Sequence, residues 1–322
     1  MPPIRLLVIA DPNAPHMRLL KEIPDSVEIT VTNDLERLKD AAPHADVLVN
    51  GGFHSPLFRT VFPLATNLKW AHNMSAGVET VLTPEVIASP VPLTNGRGVF
   101  SSILAEFVIA SVYYFAKDLR QMIRSQTAGK WEQFDTTEVR GRVMGIVGYG
   151  DIGRACAQLA RAVGMRVVAL RRRAALSQDD PALEQIYTRD QLEEMLSVCD
   201  YVTLATPHTP ETRGMIGEDE FSVMKPEAVI INVGRGPVIV EDALIEALRQ
   251  NRIRGAALDV FDKEPLPEGH PFYSMENVLV SPHSADHLPG WIEMAMRRFL
   301  DNFQRFYRGE PLQTLVDKQA GY

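Results

Sequence analysis

The chain has 322 residues, 45% of them apolar and 23% charged, with a formal net charge of −8. That length suggests about two domains of roughly 150 residues each, and the apolar content excludes a disordered chain. The acidic balance gives no reason to expect nucleic acid or an anionic membrane as a partner, and no apolar run approaches the ~20 residues of a membrane span. Only Cys156 and Cys199 occur, without CxxC spacing, which suits a reducing compartment. Met1-Pro-Pro-Ile-Arg runs straight towards a strand with no basic leader or cleavage site, so a soluble, cytoplasmic protein is expected.

The N-terminal part alternates strand-like and helix-like segments. Ile4 to Ala10, Val27 to Val31, Asp46 to Val49, Leu68 to His72 and Val91 to Thr94 are short, apolar and β-branched. Amphipathic stretches near His16–Ile23, Leu35–Ala42 and Pro56–Leu64 lie between them. This alternation predicts parallel βαβ units and a doubly wound α/β domain. Ser101 to Arg124 is the longest helical candidate, with Ile103, Phe107, Ala110 and Tyr114 at helical spacing and Ser101 or Ser102 as N-cap. So apolar a helix must be covered, and a place between two domains would do so. A loop through Thr127–Asp135 leads to a second series, with strands from Val143 and near Arg166–Leu170, Tyr201–Ala205, Val229–Asn232, Ala256–Val260 and Val278–Val280. The last apolar helix, about Gly290–Tyr307, has no obvious place on a sheet ending at Val280, and is expected to return to the first domain. Cys156 falls inside a predicted helix and reads as a small buried hydrophobe.

Gly148-Tyr-Gly150-Asp151-Ile152-Gly153 places GxGxxG between an apolar strand and a helix, the context that makes the motif informative. Gly148 permits the tight turn, Gly150 lets a pyrophosphate approach the backbone, and Gly153 allows close helix–strand packing. The N–H groups at the helix start would receive the phosphates. An NAD-preferring site places an acid about 20 residues on. Here position 171 is arginine, followed by Arg172 and Arg173, and no acid appears before Asp179. These arginines suit a 2′-phosphate, so NADP(H) is the expected cofactor, with NAD(H) possible. A solvated charge run is the bland alternative.

Three charged residues stand just beyond later strands: Arg235 in Asn232-Val-Gly-Arg-Gly-Pro, Glu264 in Ala257-Leu-Asp-Val-Phe-Asp-Lys-Glu-Pro, and His283 in Ser281-Pro-His. Ligands of open parallel sheets bind beyond the carboxyl ends of the strands. A guanidinium there can hold a carboxylate and polarise a ketone, and an imidazole can exchange a proton near neutrality. A surface arginine in a turn, a structural histidine and an exposed acid before Pro265 are the corresponding bland readings. No GxSxG elbow points to a hydrolase, and no ligand cluster points to a metal.

These three ordered motifs resemble those of the D-isomer-specific 2-hydroxyacid dehydrogenases, over nearly the whole chain. The resemblance implies an α/β fold of two Rossmann-like doubly wound parallel-sheet domains around a central cleft. A substrate domain would comprise residues 1–98 plus 286–322, and a dinucleotide-binding domain residues 99–285 with an interdomain helix at about 101–124. It implies reduction of a small 2-keto acid to the D-2-hydroxy acid, with His283 as acid/base, Glu264 orienting it and Arg235 binding carboxylate and ketone. The loop Ser75-Ala76-Gly77-Val78 resembles one whose N–H groups bind the substrate carboxylate; otherwise it is an ordinary glycine turn. Asn50-Gly51-Gly52-Phe53 ends another strand, and Phe53 could limit substrate size or belong to the core. By resemblance Thr206, Pro207 and Thr212 flank the adenosine half of the cofactor, while Val233, Arg235, Asp259, His283 and Ala285 approach the nicotinamide half. Asp286-His287 departs from the family pattern. The arginines after the second strand are similar to those of the NADPH-linked glyoxylate/hydroxypyruvate reductase branch, and a homodimer is implied. Formate dehydrogenases pair their histidine with glutamine, unlike Glu264. A dinucleotide-sensing or co-repressor module with little catalysis is the alternative, separated from an enzyme by turnover.

Overall fold

The computed structural model describes residues 3–52, 56–177 and 179–322. Two compact units form, one from Met1–Phe100 with Leu288–Tyr322, the other from Ser101–His287. Each is built on a fully parallel sheet, in keeping with the expected doubly wound α/β class.

In the first unit the strands are β1 (Arg5–Ile9), β2 (Glu28–Thr32), β3 (Val47–Asn50), β4 (Trp70–Asn73) and β5 (Leu93–Asn95), in the order β2-β1-β3-β4-β5. Strand order reverses between β1 and β3, and loops at that switch point face the crevice where such sheets bind ligands. The stretch near His16–Ile23 forms a 3-10 helix, Pro15–Glu22, rather than an amphipathic α-helix. Its Pro15 start has no side-chain cap, and the turns close through i→i+3 bonds such as Ile23 N–H to Leu20 O. The helix Trp291–Arg308 buries Ala295, Met296, Phe299, Leu300 and Phe303, one apolar stripe at helical spacing. Phe299 stacks on the buried Trp70 of β4, with centroids 5.5 Å apart.

The second unit carries β6 (Val143–Val147), β7 (Arg166–Leu170), β8 (Gln185–Tyr187), β9 (Tyr201–Leu204), β10 (Val229–Asn232), β11 (Gly255–Leu258) and β12 (Val278–Val280). Their order is β12-β11-β10-β9-β6-β7-β8, with the switch point between β6 and β9. β6, β9, β10 and β11 are buried throughout, as strands covered on both faces must be. The sequence pattern misses β8, a three-residue edge strand with only Ile186 and Tyr187 to mark it. The single helix expected from Ser101 to Arg124 is instead two, Ser101–Ala116 and Leu119–Thr127. Asp118 breaks the run: it takes a left-handed φ of 48° and its carboxylate accepts from Gln121 N–H, capping the second helix. Within its own unit the first of these helices packs on the helix Asp151–Ala162. Cys156 in that helix is buried, and burial pushes its thiol up to about 12. No helix among the described residues is long and apolar enough to cross a membrane.

His72 in β4 is fully buried beside Trp70 and Phe299, with Nδ1 2.7 Å from Thr94 Oγ1 and Nε2 unpartnered. Burial, aided by the charge of Arg298, pushes its pKa from 6.5 down to about 3. Below 6.5 the unfolded chain binds a proton that the folded chain refuses, so stability falls as pH drops towards 3, by up to about 1.4 kcal/mol per pH unit. Replacing it by phenylalanine is expected to remove that slope between pH 6.5 and 4 in urea unfolding. An undiminished slope would assign the acid sensitivity elsewhere.

Candidate functional site

At the end of β6 the chain turns sharply. Gly148 has φ of 97°, and a Cβ there would lie 2.8 Å from the backbone of Ala205. A Cβ on Gly153 would lie 2.4 Å from the Gly148 carbonyl oxygen, so helix and turn touch only because both positions are glycine. Gly150 precedes the helix Asp151–Ala162, and a Cβ on it would meet nothing within 4 Å. Asp151 and Ile152 form the first turn, whose N–H groups are the usual anion donors of a helix start. Thr206, beyond β9, packs its methyl against Gly148, while its buried Oγ1 has no hydrogen-bond partner. Thr212 Oγ1 donates to the Pro207 carbonyl at 2.6 Å, closing the same loop.

Beyond β7, Arg171 N–H donates to Tyr187 O at 3.0 Å and its guanidinium donates to Ser177 Oγ. Arg172 is exposed. Arg154 pairs with Asp180 at 3.3 Å, tying the far end of this arginine-bearing loop to the helix that follows the glycine turn.

The next three strand ends carry the charged residues. Asn232 closes β10 with an amide that works in both directions: Oδ1 accepts from Gly234 N–H and Nδ2 donates to Arg235 O, each at 3.0 Å. Such an Asx-type clamp fixes the Gly234–Arg235 bend. Val233 is buried, and a Cβ on Gly234 would lie 2.7 Å from Thr206 O, so the loops after β9 and β10 are in contact. Arg235 is half-buried and donates to Gly234 O at 2.6 Å.

Glu264 and His283 meet. His283 Nδ1–H donates to Glu264 Oε2 at 2.7 Å, and Glu264 Oε1 accepts from Phe261 N–H at 2.9 Å. The bond to Glu264 raises the His283 pKa against the opposing effect of burial; Glu264 and Asp259 add to the rise, and Arg235 works against it. Burial disfavours the Glu264 charge, yet the bonds from His283 and Phe261 and the nearby Arg235 hold it below the usual carboxylate range. The pair therefore favours imidazolium beside carboxylate.

Asp259, just past β11 and 2% exposed, has a part in this site beyond the cofactor contact that resemblance implied. Its Oδ1 accepts from Ser281 Oγ at 2.6 Å, Ser284 N–H at 2.9 Å and Ala285 N–H at 3.0 Å. The turn that carries His283 at φ 52° is thus wound around one carboxylate oxygen. Nothing local announces this, because the acceptor lies 22 to 26 residues before its donors. Asp286 follows in the same turn, its Oδ1 buried and 3.6 Å from His287 Nε2, and burial holds its carboxyl above the usual range.

Ser75, Ala76 and Gly77 belong to the first unit, in the turn after β4. Asn73 Nδ2 donates to Ser75 O at 3.2 Å and Gly77 O at 2.8 Å, and Asn95 Nδ2 to Ala76 O at 2.6 Å. Phe53 lies outside the described residues.

Asp259→Ala would leave three partly buried donors without their acceptor, at a cost of roughly 0.5–1.5 kcal/mol for each bond lost. A clear loss of stability of the second unit in denaturant unfolding is expected. Stability unchanged from the parent protein would show that the turn holds without Asp259.

Residues 109–285 match the family described as D-isomer specific 2-hydroxyacid dehydrogenase, NAD binding domain. A glyoxylate reductase of Korarchaeum cryptofilum is 31% identical over 305 residues, spanning 93% of this chain and 88% of the relative. The structure of a D-isomer specific 2-hydroxyacid dehydrogenase from Xanthobacter autotrophicus Py2, in complex with NADPH and MES, superposes with a TM-score of 0.81 at 28% identity, covering 99% of this chain and 100% of that one. An NADPH-dependent glyoxylate/hydroxypyruvate reductase from Sinorhizobium meliloti, in complex with NADP and sulfate, gives a TM-score of 0.82 at 26% identity, with both chains fully covered.

Proposed function

Since this chain belongs to the D-isomer-specific 2-hydroxyacid dehydrogenase family, we propose that it reduces a small 2-keto acid to the D-2-hydroxy acid with NADPH. The observation that carries the reading is the His283–Glu264 bond of 2.7 Å, with Arg235 in electrostatic reach of both residues. A dinucleotide fits the residues at the β6–β9 switch point. Gly150 faces open space, Gly148 and Gly153 keep the turn tight, and Thr206 Oγ1 waits unpartnered. Thr206, Pro207 and Thr212 would hold the adenosine half, and Val233, Asp259 and Ala285 the nicotinamide half. When bound, the nicotinamide supplies the hydride for the ketone carbon.

The chain's own residues do the rest. The Arg235 guanidinium holds the substrate carboxylate and draws charge onto the ketone oxygen, and the Ser75–Gly77 turn offers N–H donors to the carboxylate. Imidazolium His283 gives its Nε2 proton to that oxygen, and Glu264 keeps the ring oriented and charged. His283→Ala is expected to lower kcat by about 10²–10⁴-fold in an assay with glyoxylate and hydroxypyruvate, with NADPH still bound. Wild-type binding of NADPH without turnover of any 2-keto acid would move the reading to a sensing module.

The sign of the pH effect follows from the charge pair. Reduction needs protonated His283, so activity is lost as pH rises through its raised pKa. Glu264→Gln removes the main cause of the rise and is expected to move this alkaline limb to lower pH, with cofactor affinity kept. A limb that stays in place would break the pairing.

NADPH preference rests on Arg171, held by Ser177, and on the exposed Arg172. Proteins of similar structure were crystallised with NADPH or NADP, which supports the same choice, with NADH as a weaker alternative. Arg171→Ala is expected to raise the NADPH KM about tenfold, the scale of one lost charge-assisted bond, and to leave that for NADH nearly unchanged. Equal effects on both would refute a 2′-phosphate contact. The same reading takes the protein as a homodimer joined through its second unit, where Ile123 and Trp131 are 60% and 94% exposed.

A further inference from the structure

Three asparagines stand side by side at the carboxyl ends of neighbouring strands. Asn50 of β3 is in register with Asn73 of β4, and Asn73 with Asn95 of β5. They are 2%, 0% and 3% exposed, so each is an amide taken wholly out of water. Asparagine is poorly suited to strands and costly to bury unless it is bonded, and three in a row mark a built feature.

The bonds run one way. Asn50 Nδ2 donates to Asn73 Oδ1 at 2.8 Å. Asn73 Nδ2 then donates to Ser75 O, Ser75 Oγ and Gly77 O, at 3.2, 2.8 and 2.8 Å. Asn95 Nδ2 donates to Ala76 O at 2.6 Å, while its Oδ1 accepts from Arg97 N–H at 3.3 Å. Gly96 N–H takes Ser75 O as well, at 3.1 Å. All three carbonyls of the Ser75–Gly77 turn are thereby held by the ladder and its neighbour. Among the described residues the N–H groups of Ala76 and Gly77 donate to no protein acceptor. Asn50 Oδ1 is buried with no partner, so part of the ladder is kept at a cost in stability.

We infer that Asn50, Asn73 and Asn95 form a positioning ladder that locks the Ser75–Gly77 carbonyls away and presents the Ala76 and Gly77 N–H groups to the substrate carboxylate. The inference rests on the reading of that turn as a carboxylate subsite. Asn73 is the central rung, because it alone bridges the ladder to both ends of the turn. Chained amides polarise one another, so the loss of Asn50 weakens the Asn73 donors without touching the turn.

The test joins kinetics to local hydrogen exchange. Asn73→Ala is expected to raise the KM for glyoxylate or hydroxypyruvate about tenfold, the scale of one lost buried hydrogen bond, with kcat changed by less than about threefold. NADPH affinity stays the same. Amide exchange at Gly96, whose N–H donates to Ser75 O, and at Val81 and Leu82, whose N–H groups donate to Val78 O, should quicken about tenfold while the rest of the first unit keeps its protection. Asn50→Ala should give the same pattern, weaker, and serves as the second variant if Asn73→Ala does not fold. Unchanged exchange at Gly96, Val81 and Leu82, or a KM that stays put in a folded variant, would overturn the ladder. Oxamate, a carboxylate analogue that is not reduced, provides the separation from the functional reading. If wild-type protein turns over no 2-keto acid and oxamate leaves 75–78 unprotected, the carboxylate subsite fails, and the inference with it. If oxamate protects the turn in wild type but not in Asn73→Ala, the ladder stands whatever the turnover.

Discussion

A parallel strand covered on both faces has no place for a charged side chain along its length, and this constraint shapes everything the protein can do. β6, β9, β10 and β11 are buried from end to end and carry no charged side chain, and Arg235, Asp259, Glu264 and His283 stand beyond the strand termini. Because the strands are parallel, those termini lie along one edge of each sheet. Arg235, Asp259, Glu264 and His283 all follow carboxyl ends in the second unit, and Asn50, Asn73 and Asn95 close three in the first. Chemistry is concentrated at one edge by the demands of burial.

Charge within the second unit's edge is arranged in layers of decreasing exposure. His283 and Glu264 keep 38% and 36% of their side-chain surface, enough for protons to reach them. Beneath them Asp259, almost fully buried, pays for its burial with three hydrogen bonds on one oxygen. A buried carboxylate so satisfied is rigid, and the turn bearing the imidazole inherits that rigidity. The same negative charge adds to the rise in the His283 pKa that Glu264 mainly causes, so Asp259 fixes the place of the imidazole and assists its protonation.

The first unit uses neutral amides where the second uses charges. A carboxylate there would repel a carboxylate ligand, whereas asparagine can fix a turn by donation and leave the local potential nearly unchanged. Beneath this edge His72 remains neutral, walled by Trp70 and Phe299, and ties the sheet to the closing helix Trp291–Arg308 through aromatic contact. Both devices depend on strands β3 to β5 staying in register.

The linear order of residues determined much of this. Alternating apolar strands and amphipathic stretches already specify two parallel α/β sheets, because period and length reflect which faces are buried. GxGxxG between strand and helix marks the tight turn, because glycine alone tolerates φ of 97° and an approach of 2.8 Å. Position just beyond a strand singles out Arg235, Glu264 and His283. The remainder depended on contacts between residues far apart in the chain. Asp118 divides a helix that reads as continuous, because its left-handed turn and cap outweigh the apolar period. β8 exists only because an adjacent strand completes its hydrogen bonds. Asp259 finds its donors 22 to 26 residues away, and the asparagine ladder joins residues 22 or 23 apart that become neighbours only when the strands align. Local pattern decides which elements form, whereas the pairing of buried polar groups is decided by register, which no short stretch of sequence contains.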